Sequence, residues 1–243
     1  MKNLKVIYIV CLLFAFGFSG CEKDYEDLYT ITNYPTFEMT GEEVIINPFG
    51  ASFTDPGIKA TEAGQEIPVT TTVTGDFFGG TSFDPNVTER YLYTYSATNS
   101  DGYPGSISRY VYNINNGDLV TSIEGLYTST VVRNGAASPQ YTDMEYVVIS
   151  KTGENTYMLS DAIGGYYDIG RDYGATYRAP GLTITANNIA ADSFTFNTTE
   201  VGTFGGVVEM KSMTVDPANK TIVFTSDWDA GYSFEVTLKQ VQL

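Results

Sequence analysis

Apolar and polar positions alternate with a period of two through most of this chain, and Gly, Pro, Asn and Asp interrupt them at short intervals. Successive side chains of a strand point to opposite faces, so the pattern predicts short, half-buried β-strands. Residues 90–97 are the clearest case, with Tyr91, Tyr93 and Tyr95 on one face and Leu92 on the other. Further strands are predicted over 43–47, 69–74 and 107–112, with turns at 48–50, 53–57 and 99–102, where Pro and Gly set the backbone. Beyond residue 117 the pattern predicts strands over 123–132, 144–150, 156–161, 194–197, 207–210, 213–215, 221–225 and 232–238. The loops 151–155 and 216–220 read as hairpin connections. No amphipathic helical stretch of convincing length occurs. Strands at this spacing suggest a sandwich in the first half. Consecutive hairpins without a helical crossover imply an antiparallel barrel or sandwich in the second.

The N-terminus departs from this pattern. Lys2 and Lys5 precede an almost wholly apolar run over 6–18, the length of a signal-peptide core and short for a membrane span. It ends in Phe18-Ser19-Gly20-Cys21, which resembles a bacterial lipobox. Residues 1–20 are therefore expected to be a lipoprotein signal peptide and Cys21 the acylated residue, so that several acyl chains hold the protein at a membrane. Residues 21–33 read as an acidic tether. Its start, Glu22-Lys23-Asp24-Tyr25-Glu26-Asp27, resembles the charged signal of surface-exported Bacteroidetes lipoproteins, the alternative being a solvated spacer.

Composition then removes whole classes of chemistry. Loss of Lys2 and Lys5 with the leader takes the formal net charge from −16 to −18, which argues against nucleic acid as a partner. There is no histidine. Cys11 lies in the leader and Cys21 is lipidated, so the folded part has no thiol, disulfide or thiolate metal site. Serine–histidine and cysteine–histidine catalysis and His-based zinc sites are excluded. Carboxylates, Tyr, Lys and Ser remain. No Gly-rich phosphate loop between strand and helix and no EF-hand-type calcium loop occurs, and no cofactor or metal is assigned.

Phe53-x-Asp55-Pro56-Gly57, Ala60, Val73-Thr74-Gly75, Tyr93-Thr94-Tyr95-Ser96-Ala97, Asp101-Gly102 and Arg109-x-Val111 together resemble bacterial surface immunoglobulin-like domains. The resemblance implies an immunoglobulin-like β-sandwich over 34–115, acting as spacer or stalk and in some relatives as adhesin. Residues 77–88 depart from it with a longer loop before the tyrosine strand. The segment 117–243 carries Gly125-x-Tyr127, Asp161-x-x-Gly164-Gly165-Tyr166-Tyr167, Gly170-Arg171-x-Tyr173-Gly174 and Gly231-Tyr232-x-Phe234. With these the whole chain resembles two-domain Bacteroidetes surface lipoproteins whose β-rich C-terminal domain has no known function. Such proteins occur beside outer-membrane glycan-uptake (Sus-like) systems, which implies glycan capture as a context.

The segment 161–177 is the least strand-like part of the second domain and interleaves four tyrosines, one arginine and three aspartates with glycine. Sugar rings stack on aromatic faces, and their hydroxyls pair with planar polar groups. Tyr166, Tyr167, Tyr173 and Tyr177 are thus candidate stacking residues, and Asp168, Arg171 and Asp172 candidate hydrogen-bonding residues. The alternative is that these tyrosines plug one end of a barrel while Asp161 caps a turn. Trp228, the only tryptophan, lies between two predicted strands and is either core or an exposed binding residue. A glycosidase needs two carboxylates about 5–10 Å apart. Asp161, Asp168, Asp172, Asp227 and Asp229 supply acids, but sequence pairs none of them.

The resulting expectation is a cell-surface lipoprotein of the outer membrane, with no enzyme activity, binding a glycan or oligosaccharide in support of an uptake complex. The alternatives are a structural or adhesive surface protein with protein partners, and a carboxylate-dependent glycoside hydrolase.

Overall fold

A computed structural model describes residues 31–243; the apolar leader, Cys21 and most of the acidic tether lie outside the described residues. The chain is all-β, with helix limited among those residues to 3-10 turns such as Pro139–Tyr141 and Ala175–Tyr177.

The first domain contains β1 (Thr36–Met39), β2 (Val44–Pro48), β3 (Ile58–Glu62), β4 (Gln65–Ile67), β5 (Thr70–Gly75), β6 (Glu89–Thr98) and β7 (Pro104–Ile114). A sheet ordered β1-β3-β4 faces a second ordered β2-β7-β6-β5, in which β2 runs parallel to β7. The alternation of β6 buries Tyr91, Tyr93 and Tyr95 between the sheets against Phe53, Ile58 and Val69. Strands β1, β3 and β4 escape the sequence pattern, because they are short and lie among turns. The motif residues Asp55, Tyr95 and Arg109 form one buried cluster. Arg109 Nη1 donates to Asp55 Oδ1 at 2.5 Å, and the Tyr95 hydroxyl donates to the same oxygen at 2.7 Å. Nε of Arg109 donates to the Glu42 carbonyl at 2.9 Å, and its Nη2 to the Thr40 carbonyl. A fully buried guanidinium is tolerated only with such partners.

The second domain contains β8 (Gly125–Arg133), β9 (Met144–Lys151), β10 (Thr156–Leu159), β11 (Leu182–Asn188), β12 (Ser193–Phe196), β13 (Thr198–Glu200), β14 (Val207–Asp216), β15 (Thr221–Trp228) and β16 (Tyr232–Gln240). They form one antiparallel sheet ordered β12-β11-β10-β9-β8-β16-β15-β14-β13, curled into a nearly closed barrel. Its two edges, β12 and β13, are consecutive in the chain. One bent strand, broken at Asn197, pairs with β11 by its first half and with β14 by its second. The segments 207–210 and 213–215, expected as separate strands, are one strand with a register shift between Met210 and Ser212. Strands β11 and β13 are additions to the predicted set.

The two domains pack on each other. Tyr112 and Ile114 of β7 meet Leu126 and Val148 on the outer barrel wall. Asp76 lies between two arginines, Arg90 Nη2 and Arg178 Nη1, each at 2.6 Å, and Arg178 Nε also pairs with Asp168. Burial pushes the Asp76 carboxyl up and opposes the pull of Arg90. Beside it, the buried Glu89 accepts the backbone N–H groups of Asp76, Phe77, Phe78 and Arg90 at 2.7–3.1 Å. The long loop after β5 is thereby fixed against the joint. Gly75 is obligatory there, because a Cβ would stand 2.1 Å from the Gly79 carbonyl oxygen.

Candidate functional site

The segment after β10 leaves the wall and turns into the barrel. Ala162, Ile163, Tyr166 and Tyr167 are buried with the inward residues Val131, Ile222, Phe224, Phe234, Val236 and Leu238. The inserted backbone cannot find ladder partners inside a barrel, and the wall supplies them instead. Ser129 Oγ donates to the Gly164 carbonyl at 2.8 Å and Ser226 Oγ to the Ala162 carbonyl at 2.7 Å. Gly164 must be glycine, since a Cβ would meet Val236 at 2.6 Å and Val131 at 2.8 Å. Asp161 accepts the N–H groups of Ile163, Gly165 and Ala179 at 3.0–3.1 Å and closes the base of the insert. Burial pushes its carboxyl up to about 7 against those three donors.

The insert ends at the barrel mouth formed by the ends of β8 and β15 and the starts of β14 and β16, where the aromatic residues converge. Tyr167 lies 6.0 Å from Trp228 and 5.1 Å from Phe204, measured between ring centroids. Phe204 lies 4.9 Å from Tyr177 and 6.1 Å from Trp228, and Tyr173 lies 5.2 Å from Tyr177. Trp228 contacts Tyr232 at 5.5 Å and donates from Nε1 to the Gly205 carbonyl. The outer members of this cluster are Tyr173, 46% exposed, and Phe204, 48% exposed.

The eight residues expected at a sugar site therefore divide. Tyr166 at 2% exposure, Tyr167 at 6% and Trp228 at 7% have their faces covered by other rings, so they support the surface rather than offer it. Asp168 is committed to Arg178 at the domain joint, and burial raises its carboxyl to about 6. Tyr173 is exposed, and Tyr177 and Arg171 are half-buried at the rim. Asp172 is exposed in a left-handed turn, with φ of 56°. As in the alternative for the insert, the tyrosines near its start plug the barrel and Asp161 caps a turn.

Sequence reasoning misses Phe204, Arg133 and Tyr141. Phe204 sits in Gly202-Thr203-Phe204-Gly205-Gly206, the same mixture of glycine and aromatic that marks the insert. Its turn is anchored: Gly202 N donates to the Arg178 carbonyl and Thr203 N to the Thr176 carbonyl, both at 2.7 Å. Arg133 ends the inner row of β8. Its guanidinium lies 4.8 Å from the Tyr166 ring and 4.7 Å from the Tyr232 ring, and Nη1 donates to the Tyr167 hydroxyl at 3.3 Å. The Arg171 guanidinium lies 5.6 Å from the Tyr166 ring, on which Tyr141 stacks at 4.1 Å. Burial opposes ionisation of Tyr166, yet the Tyr141 hydroxyl and the two guanidiniums together draw its phenol below the ordinary tyrosine range.

A cleft of about 550 Å³ lies between the domains, lined by Phe49, Phe78, Asn115, Glu124 and Lys151 among others. It is open, and Lys151 and Glu124 offset each other in charge. The barrel mouth has the denser set of aromatic and cationic groups. Among the described residues no three carboxylates gather where they could hold a metal ion.

Residues 37–112 match the profile of the bacterial surface protein Ig-like domain, and residues 116–240 match a family of C-terminal domains. No curated protein matches the chain. The crystal structure of the lipoprotein BT2262 from Bacteroides thetaiotaomicron is similar, with 27% identity and a TM-score of 0.66 over 85% of this chain and 100% of that one.

Proposed function

We propose that this chain, which belongs to the family of C-terminal domains matched by residues 116–240 and carries a bacterial surface Ig-like domain before it, is a cell-surface lipoprotein capturing glycans at the barrel mouth. The observation that carries this reading is the aromatic rim. Tyr173 and Phe204 offer open ring surface, and Tyr177, Tyr167 and Trp228 back them in a connected cluster. Aromatic faces held rigidly lose little entropy on binding, which favours stacking with sugar C–H surfaces. The likeness to a Bacteroides lipoprotein and the lipobox-like Phe18–Cys21 support acylation at Cys21, with the outer membrane as the anchoring site and the Ig-like domain as spacer.

Capture is non-catalytic on this reading. Asp161 is sealed beneath the insert, and Asp168 is held by Arg178, so these two carboxyls with raised affinity for protons are both engaged in structure. Weak, reversible binding suits a protein that passes its ligand to an uptake complex. Affinity electrophoresis against a polysaccharide panel tests the proposal. One glycan should retard the protein, and Tyr173→Ala with Phe204→Ala should weaken binding roughly threefold to tenfold per ring. Absence of retardation by any polysaccharide would sink the reading and favour a structural or adhesive role.

A further inference from the structure

Resting on that reading, we infer that the glycan taken at the barrel mouth is acidic, its carboxylate or sulfate being received by Arg133 and Arg171. The chain has five arginines. Three of them, Arg90, Arg109 and Arg178, are paired with aspartates within 2.6 Å. The other two have no carboxylate within 4 Å among the described residues, in a chain carrying 29 acidic side chains. Both unpaired arginines stand at one place, 4.8 and 5.6 Å from the centre of the Tyr166 ring.

Their surroundings preserve this positive charge. The Arg133 guanidinium is held by the Tyr166 and Tyr232 rings at 4.8 and 4.7 Å and donates from Nη1 to the Tyr167 hydroxyl. Arg171 sits among the Tyr141, Tyr166 and Tyr173 hydroxyls with a long 3.5 Å bond to Tyr166, and its Nε has no hydrogen-bond partner. Of the acids in the same loop, Asp168 is turned away into the domain joint, and Asp172, exposed beside Arg171, pairs with neither arginine within 4 Å. A planar guanidinium matches a carboxylate or sulfate in two-pronged geometry, and an incomplete donor set is satisfied by such a group. Neighbouring Tyr173 and Phe204 would carry the sugar ring while the arginines take its charge. A neutral glycan would leave both cations unused.

The test measures binding of the full-length protein to four polymers near physiological ionic strength: polygalacturonic acid, its carboxyl-reduced neutral form, the sulfated galactan κ-carrageenan, and dextran. Polygalacturonic acid, carrageenan or both should bind, and comparison of these two separates carboxylate from sulfate recognition. Carboxyl reduction, or Arg171→Gln at the half-buried rim, should weaken binding about tenfold or more, consistent with loss of a charge-assisted pair. Arg133→Gln should act in the same direction, and unchanged thermal unfolding of Arg171→Gln excludes loss of fold as the cause. If a neutral polymer binds as tightly as its acidic counterpart and Arg171→Gln has no effect, the acidic assignment is wrong and capture at the rim stands. If no polymer binds, both fail.

Discussion

Replacing Arg178 with methionine tests how firmly the two domains are coupled, because this one side chain spans them. Its guanidinium contacts Asp76 from the first domain and Asp168 from the insert, and it is nearly buried. Removing one member of a buried ion pair costs about 3–5 kcal/mol, since the partner is left charged and unpaired. Asp76 keeps Arg90 at 2.6 Å, so Asp168 carries most of the loss. The Arg178 Nη2 atom has no partner, and removing it relieves about 1 kcal/mol. The net expectation is about 2–4 kcal/mol at pH 8, or a fall in Tm of ~5–15 °C for a protein of this size. Because the Asp168 carboxyl already titrates near 6, it takes up a proton in mild acid, and the deficit should shrink by pH 5. Urea unfolding followed by Trp228 fluorescence reads the barrel directly, and adding Asp168→Asn to the Arg178→Met variant should restore part of the loss. A deficit below about 1 kcal/mol at pH 8 would refute the account, as would equal deficits at both pH values.

Three further outcomes are expected. Asp55→Ala leaves the fully buried Arg109 without its carboxylate and should destabilise the first domain by about 3–5 kcal/mol in urea unfolding, with Arg109→Met in the same chain recovering part of it. Asp161 titrates at about 7 when folded against an ordinary value of 3.8, so the folded state holds an extra proton between these values and stability falls as pH rises through that window. Asp76, Glu89 and Asp168 shift the same way, and Tm should drop from pH 5 to pH 8, less steeply in Asp161→Asn; a flat or rising profile would mean that the backbone donors outweigh burial. Gly202→Ala places a Cβ 2.1 Å from the Thr176 carbonyl oxygen, which should displace the Phe204 turn and abolish glycan retardation while the far-UV spectrum stays that of the folded barrel.

The strands legible in the sequence are those whose two faces meet different surroundings. β6 and β15 alternate cleanly because one face meets a core and the other meets solvent or a less buried surface. β3 and β13 are only five and three residues long and sit among turns, so a local window holds too few residues to mark them. The insert stands out for its tyrosines and glycines, but sequence does not say which way a loop folds. Tyr166 and Tyr167 point inward because Gly164 lets the backbone approach Val131 and Val236, a contact with residues remote in sequence. Asp168 illustrates the same limit, as its partner Arg178 lies ten residues on in the folded loop and the linked Asp76 joins it only through docking of the two domains. Phe204 is visible as an aromatic among glycines, though nothing local ties its turn to residues 176 and 178.

The insert also constrains how a cargo would be exchanged. A lumen occupied by the protein's own backbone leaves no chamber to open or shut, so on the proposed reading arrival and departure would take place at the lip without a gate. Residence time would then follow from contacts at that lip alone, and a downstream acceptor could draw the load by competing for it, with no signal or shape change required.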